Sequence, residues 1–250
     1  MRRRVVQVAK KGGSRKLKRL AAPRTYKIPR KIFKWAVKTM PGPHPADSSI
    51  PVAVLLRDVL GVAKNLREVK YILRRGYFKI DGKVIREYKY PVGLMDVIEL
   101  VPTKEFYRIM PDTVGYLKPK KITGDETRIK PLRIKNKVMV KGAKIQLTTH
   151  DGRNFLVDGD SELYNLKPGD TILYDFVSRK VIDVFRMEPG NYALVVWGRK
   201  RGASGKIVNV WKPHPLKPKM VIIQVDDRTF ETVFDYVFPI GREEPAISID

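Results

Sequence analysis

The sequence predicts an α+β multidomain protein: a basic N-terminal extension, a small α+β domain, an all-β central domain and a small β-barrel. Three observations carry that expectation. Residues 1–40 hold 15 basic side chains and no acid. Helical spacing of apolar residues is confined to two runs between Ile50 and Gly76, and from Val138 onward short alternating stretches are broken by turn residues. The expected units are 1–40, 41–106, 107–187 and 188–250.

The extension dominates the charge. Over 250 residues, 51 Lys+Arg stand against 26 Asp+Glu, a formal charge of +25, and 15 of those charges fall in the first 40 residues. Mutual repulsion opposes packing of such a segment on itself, so mobility in the free protein and ordering on a polyanion are expected. Leu17, Leu20, Tyr26, Ile28, Phe33 and Trp35 are interleaved with the cations and supply groups that stack on bases or dock on a surface. A nuclear-localisation run is shorter. A transit peptide needs more serine than Ser14 alone before residue 48, and no signal-peptide apolar core follows. No apolar run approaches the roughly 18 residues of a membrane helix.

Pro41-Gly42-Pro43-His44-Pro45 marks the start of a folded unit. Ser48 or Ser49 is expected to open a first helix with Pro51 in its first turn, and Val52, Leu55, Leu56, Val59 and Leu60 form its apolar face before Gly61. Asn65 with Glu68 resembles a capping box for a second helix, in which Leu66, Val69, Ile72 and Leu73 repeat at helical spacing until Gly76. At about 100° per residue, Arg67, Lys70 and Arg74 fall opposite that stripe and form a basic ridge. Tyr77–Ile80 and Lys83–Ile85 read as strands joined at Asp81-Gly82 by a two-residue turn that needs positive φ, and Val97–Val101 supplies another strand.

In the β-rich remainder, Asp151-Gly152, Pro168-Gly169 and Asp226-Asp227 punctuate the strands. Ala193–Trp197 and Lys206–Val210 flank a glycine-hinged loop with three consecutive cations, Arg199, Lys200 and Arg201, and its glycines allow close approach of backbone N–H groups to a phosphate. Neighbouring motifs fail on inspection. A phosphate-binding P-loop needs Gly where Lys200 stands and Ser or Thr at Ile207. Gly202-Ala203-Ser204-Gly205 matches a GXXG loop, but that loop joins helices and its flanks here are strand-like. His150-Asp151 lacks a nucleophile and reads as a turn, and His44 between two prolines is expected to pack or hydrogen-bond. With no Cys and only His44, His150 and His214, no metal site and no cofactor are expected.

Ile50 to Leu100 resembles an S-four-type RNA-binding domain, through Leu56-Arg57-Asp58, Arg67-Glu68, Ile72-Leu73, Ile80 to Val84 and Pro91 to Ile98. The whole chain resembles the archaeal and eukaryotic (e-type) S-four family of small-subunit ribosomal proteins. Leu17 to Pro23, Gly42-Pro43-His44, Thr149 to Arg153, and Phe230 to Gly241 with Ile247-Ser248-Ile249 match its motifs in order. Two places depart: Lys16 and Tyr26 stand where the family usually has His and Trp, and Trp197-Gly198-Arg199-Lys200 replaces Gly-Gly-Arg-Asn. An Asn hydrogen bond is therefore not carried over.

The resemblance implies a structural, non-catalytic constituent of the small ribosomal subunit, cytoplasmic, bound to ribosomal RNA and neighbouring small-subunit proteins, with a KOW/SH3-like barrel near 188–240. It implies no membrane and no small-molecule substrate. The expected RNA contacts are Arg2, Arg3, Arg4, Lys10, Lys11, Arg15, Lys16, Lys18, Arg19 and Arg24 in the extension. Arg67, Lys70, Arg74, Arg75, Lys79 and Lys83 follow in the S-four-type domain, and Arg199, Lys200, Arg201 and Lys206 at the barrel loop. The rivals are an RNA-modifying enzyme carrying the same small module and a transiently bound KOW-type translation or transcription factor. Low Asn, Gln and Cys with 31% charged residues hints at a thermophile.

Overall fold

The computed structural model describes residues 14, 16–142, 144–159, 161–226 and 228–249. Pro51 sets where the first helix begins. A residue before proline is pushed to extended backbone, so Ile50–Pro51 forms a short strand against Pro91–Val92 and helical geometry starts only at Val52. The expected opening at Ser48 or Ser49 is therefore displaced; Ser49 Oγ instead donates to Pro45 O at 2.8 Å. The turn Val52–Val54 widens into a π-helical turn, Leu55–Val59, closed by Leu60 N–H on Leu55 O at 2.8 Å. Val52 to Leu56 are all buried, each large side chain contributing about 1.5–3 kcal/mol.

The second helix, Leu66–Arg74, forms as its sequence demands. Asn65 Oδ1 accepts from the N–H groups of Arg67 and Glu68 at 2.9 and 3.0 Å, and Glu68 Oε2 reaches back to Lys64 N–H at 2.7 Å. Val69 and Leu73 are buried. Asp81 and Gly82 both have positive φ, 47° and 75°, and close the hairpin between Phe78–Ile80 and Lys83–Val84. That hairpin edges an antiparallel sheet in the order Lys83–Val84, Phe78–Ile80, Val97–Leu100, Glu105–Pro111, Leu117–Ile122. The unit boundary expected at 106/107 falls inside the strand Glu105–Pro111, because no turn residue interrupts Phe106 to Met110 and the ladder continues to Ile122.

The N-terminal segment departs from expectation over its described part. Leu17–Lys18 pairs with Trp35–Ala36, and Ala22, Tyr26 and Ile28 are buried in the same core as the helices. Two of its cations turn inward to backbone carbonyls. Arg30 donates to Ala22 O and Pro23 O at 2.5 and 2.9 Å, and Arg19 Nε donates to Pro29 O. Thr25 Oγ1 ties the segment to Ser49 O at 3.2 Å.

Two further five-stranded antiparallel sheets follow. In the central one the long strand Ile129–Val140 pairs with Lys144–Thr149 through one half and Thr171–Asp175 through the other, with a bulge between Ile134 and Asn136. The last sheet runs Arg228–Val233, Met220–Val225, Ser204–Trp211, Tyr192–Val195, Val237–Gly241, its outer strands joined by a 3-10 turn at Phe234–Tyr236. A small cluster of Met95, Met110, Leu194, Val196, Phe238, Ile240 and Ile247 joins this last sheet to the first.

Candidate nucleic-acid interface

The helix Leu66–Arg74 turns Val69 and Leu73 inward, so Arg67, Lys70 and Arg74 emerge together on its exposed face. Among the described residues none of the three is in an ion pair. Lys70 Nζ lies 4.9 Å from the Tyr88 ring centroid, and Lys89 Nζ approaches the same ring at 5.4 Å. Arg75 stacks on the exposed Tyr71 at 5.4 Å, and Lys83 is exposed on the adjoining hairpin. The surface thus gains Lys89 and Tyr88, which the order of residues does not advertise because they reach the helix only through this stacking.

Not every expected contact faces outward. Arg19 is 4% exposed and is committed to Pro29 O. Lys79 is paired with Glu99 at 3.1 Å across neighbouring strands. Arg201 folds back over Trp197 at 4.4 Å, and loss of solvent around it lowers its pKa. All three are engaged within the protein, Arg19 by a carbonyl, Lys79 by a carboxylate and Arg201 by a ring. Lys16, Lys18, Arg24, Arg199, Lys200 and Lys206 are exposed. Arg2, Arg3, Arg4, Lys10, Lys11 and Arg15 lie outside the described residues.

The barrel loop also differs in how its glycines work. Gly202 needs its positive φ of 84°, but a Cβ on Gly205 would sit 2.0 Å from Gln224 O. Gly205 therefore permits close strand approach inside the barrel.

What holds the basic helix unit against the central sheet is a buried charge cluster. Lys130, 1% exposed, brings Nζ to 2.6 Å from Asp81, 2.5 Å from Asp96 and 3.3 Å from Asp151. Arg153 bridges Asp81 and Asp151 at 2.7 and 2.9 Å, and His44 Nε2 donates to Asp96 at 3.0 Å. Asp81 and Asp96 come from the first sheet, Lys130, Asp151 and Arg153 from the second. Burial alone would push the Lys130 pKa down, but the three carboxylates override it and raise it. The ammonium takes the central place that a cation would occupy among these carboxylates. Among the described residues no group of three or more His, Cys, Asp or Glu is arranged to hold a metal ion.

His150 adjoins this junction. Its Nδ1 accepts from Arg133 N–H at 3.3 Å, so Nε2 carries the proton and donates to Leu94 O at 3.2 Å. Burial, partly opposed by Asp151, pushes its pKa down to about 4 and keeps it neutral.

The fold and its cation-rich surfaces define a multidomain α+β protein, mostly β, that presents an aligned basic helix face. Comparison with known proteins specifies the family. Residues 103–181 match the description "Ribosomal family S4e" and residues 11–47 the "RS4NT (NUC023) domain". The small ribosomal subunit protein eS4 of Caldivirga maquilingensis is 43% identical over 233 residues, covering 93% of this chain and 98% of that protein. That of Ignicoccus hospitalis is 44% identical over 244 residues, covering 95% and 96%. The solved structure of the 30S ribosomal protein S4e from Thermoplasma acidophilum superposes with a TM-score of 0.68 at 34% identity, covering 78% of this chain and 96% of that one.

The chain belongs to the S4e family of ribosomal proteins, and as such it is a structural constituent of the small ribosomal subunit. The resemblance and fold class read from the sequence are borne out.

Proposed function

We propose that the protein acts without catalysis, binding small-subunit ribosomal RNA in the cytoplasm and contacting neighbouring small-subunit proteins. The observation that carries this reading is the row Arg67, Lys70 and Arg74 on a capped helix with no carboxylate partner among the described residues. A-form RNA hides its base edges in a deep groove, so such a row meets phosphates spaced by RNA shape rather than a base sequence. The exposed Arg199, Lys200 and Lys206 offer a second phosphate path at the barrel.

The buried aspartates argue against the RNA-modifying alternative. Asp81, Asp96 and Asp151 each lie within 3.3 Å of Lys130 Nζ and serve there as ion-pair partners joining two sheets. The test is RNA affinity against salt. With about 10 phosphates engaged, affinity falls roughly 10⁵-fold between about 50 and 200 mM salt. The triple variant Arg67→Gln, Lys70→Gln, Arg74→Gln reduces the slope of log affinity against log salt by about 2–3. A salt-independent affinity, an unchanged slope, or turnover of labelled RNA overturns the proposal.

A further inference from the structure

The described N-terminal segment divides its apolar residues between two environments. In the ribbon Leu17–Lys18 against Trp35–Ala36, Leu17 and Ala36 are paired with each other and pack on the core, so the alternate pair, Lys18 and Trp35, faces outward. Trp35 is 46% exposed and its neighbour Phe33 is 68% exposed. The ammonium groups of Lys16 and Lys34 stand 5.6 and 5.4 Å from the Trp35 ring centroid. The buried Arg19 guanidinium lies 5.5 Å from the Phe33 ring centroid on the protein side, which leaves the other ring face open. No acid occurs before Asp47, so nothing in this segment neutralises these lysines.

We propose that this outward face is a docking site for unpaired RNA nucleotides, with bases stacked on Trp35 and Phe33 and the flanking phosphates on Lys16, Lys18 and Lys34. The proposal rests on the RNA-binding reading above and deepens it. Charge complementarity calls for an anion. The flat, exposed rings call for a partner that also presents π faces, and bases stacked inside a duplex have theirs covered. The helix row, by comparison, aligns three cations without carboxylate partners for the phosphates of folded RNA, with Tyr71 and Tyr88 beside them. The protein then holds its RNA in two ways, one of them requiring single-stranded character.

The test uses the full chain with two probes, a short fluorescein-labelled oligouridylate and a blunt RNA duplex, both titrated at the same salt. Trp35→Ala weakens oligouridylate binding about tenfold, the scale of one stacked base, while duplex affinity stays within about twofold. Trp35→Phe restores part of the loss, which separates lost stacking from lost folding, and Phe33→Ala adds to it. The helix-row triple variant shows the converse preference. If the wild-type chain binds neither probe, the RNA-binding reading itself fails. If the duplex binds normally and Trp35→Ala leaves oligouridylate affinity unchanged, or weakens both probes equally, the stacking site alone is overturned. The same holds if these variants spare RNA affinity but remove a neighbouring protein from reconstituted subunits.

Discussion

Replacing Lys130 with Met probes the junction between the first two sheets. Met keeps an unbranched apolar stem and deletes the ammonium, so three buried aspartates surround an uncharged tip. Each keeps some support. Asp81 retains Arg153 at 2.7 Å, Asp96 retains His44 at 3.0 Å and Gly93 N–H at 2.8 Å, and Asp151 retains Arg153 at 2.9 Å and Thr149 Oγ1 at 2.6 Å. Removing one partner from such a buried cluster costs about 3–5 kcal/mol.

The pH response identifies the cause. Burial alone would raise the Asp151 pKa, yet Lys130, His150, the Thr149 hydroxyl and Arg153 together outweigh it and bring it from 3.8 to about 2. Asp96 is likewise held well below the usual carboxylate range, by His44 and Lys130 acting against burial. A carboxylate depressed in the folded state adds stability that is complete well above pH 3.8 and drains away as pH falls through its folded pKa. For Asp151 that amounts to roughly 2 kcal/mol. Without Lys130 the aspartates take up protons at higher pH, so the deficit of the variant is largest near neutrality and narrows on acidification. Urea unfolding followed by near-UV circular dichroism at a series of pH values measures it. A Lys130→Met protein within about 1 kcal/mol of wild type at neutral pH, or a deficit constant with pH, refutes the reasoning.

His150 gives a separate window. With its pKa lowered from 6.5 to about 4, the unfolded chain binds one more proton than the folded one between those values. Its contribution to stability therefore rises with pH by about 1.4 kcal/mol per unit there, and His150→Gln removes that slope from pH-dependent unfolding curves. At Gly93, an added Cβ would sit 2.2 Å from the His44 ring. Gly93→Ala is expected to cost about 1–3 kcal/mol in thermal unfolding, with His44→Ala relieving part of it in the double variant; additive losses would place the strain elsewhere.

The Asn65-capped helix and the Asp81-Gly82 hairpin were legible because their causes are local: a cap three residues from its donor, a turn whose two residues tolerate positive φ. The packing of the N-terminal segment was hidden, since charge count gives repulsion but does not show that Arg30 satisfies carbonyls seven and eight residues away. Lys130 was hidden more deeply. Its partners Asp81 and Asp96 lie 49 and 34 residues distant, and no spacing rule joins one of the strand's lysines to two turn aspartates on another sheet. Reading Asp151-Gly152 as a turn was sound, with Gly152 at φ 78°, but the turn serves chiefly to deliver Asp151 into that cluster. The basic helix face was readable as a ridge; only the structure brings Tyr88 and Lys89 beside it.

The apolar cluster that gathers Met95 and Met110 with Leu194, Phe238, Ile240 and Ile247 bears on how the chain reaches its native state. These residues are contributed by early and late stretches, so the cluster closes only after the whole intervening chain has been synthesised and the last sheet has formed. Until then the nascent first unit shows its methionines to solvent. Such closure carries a loop-entropy cost that local contacts do not repay, which places it late and makes it slow. Once closed, it ties the barrel to the helix-bearing unit, so the two are expected to lose their packing together on heating.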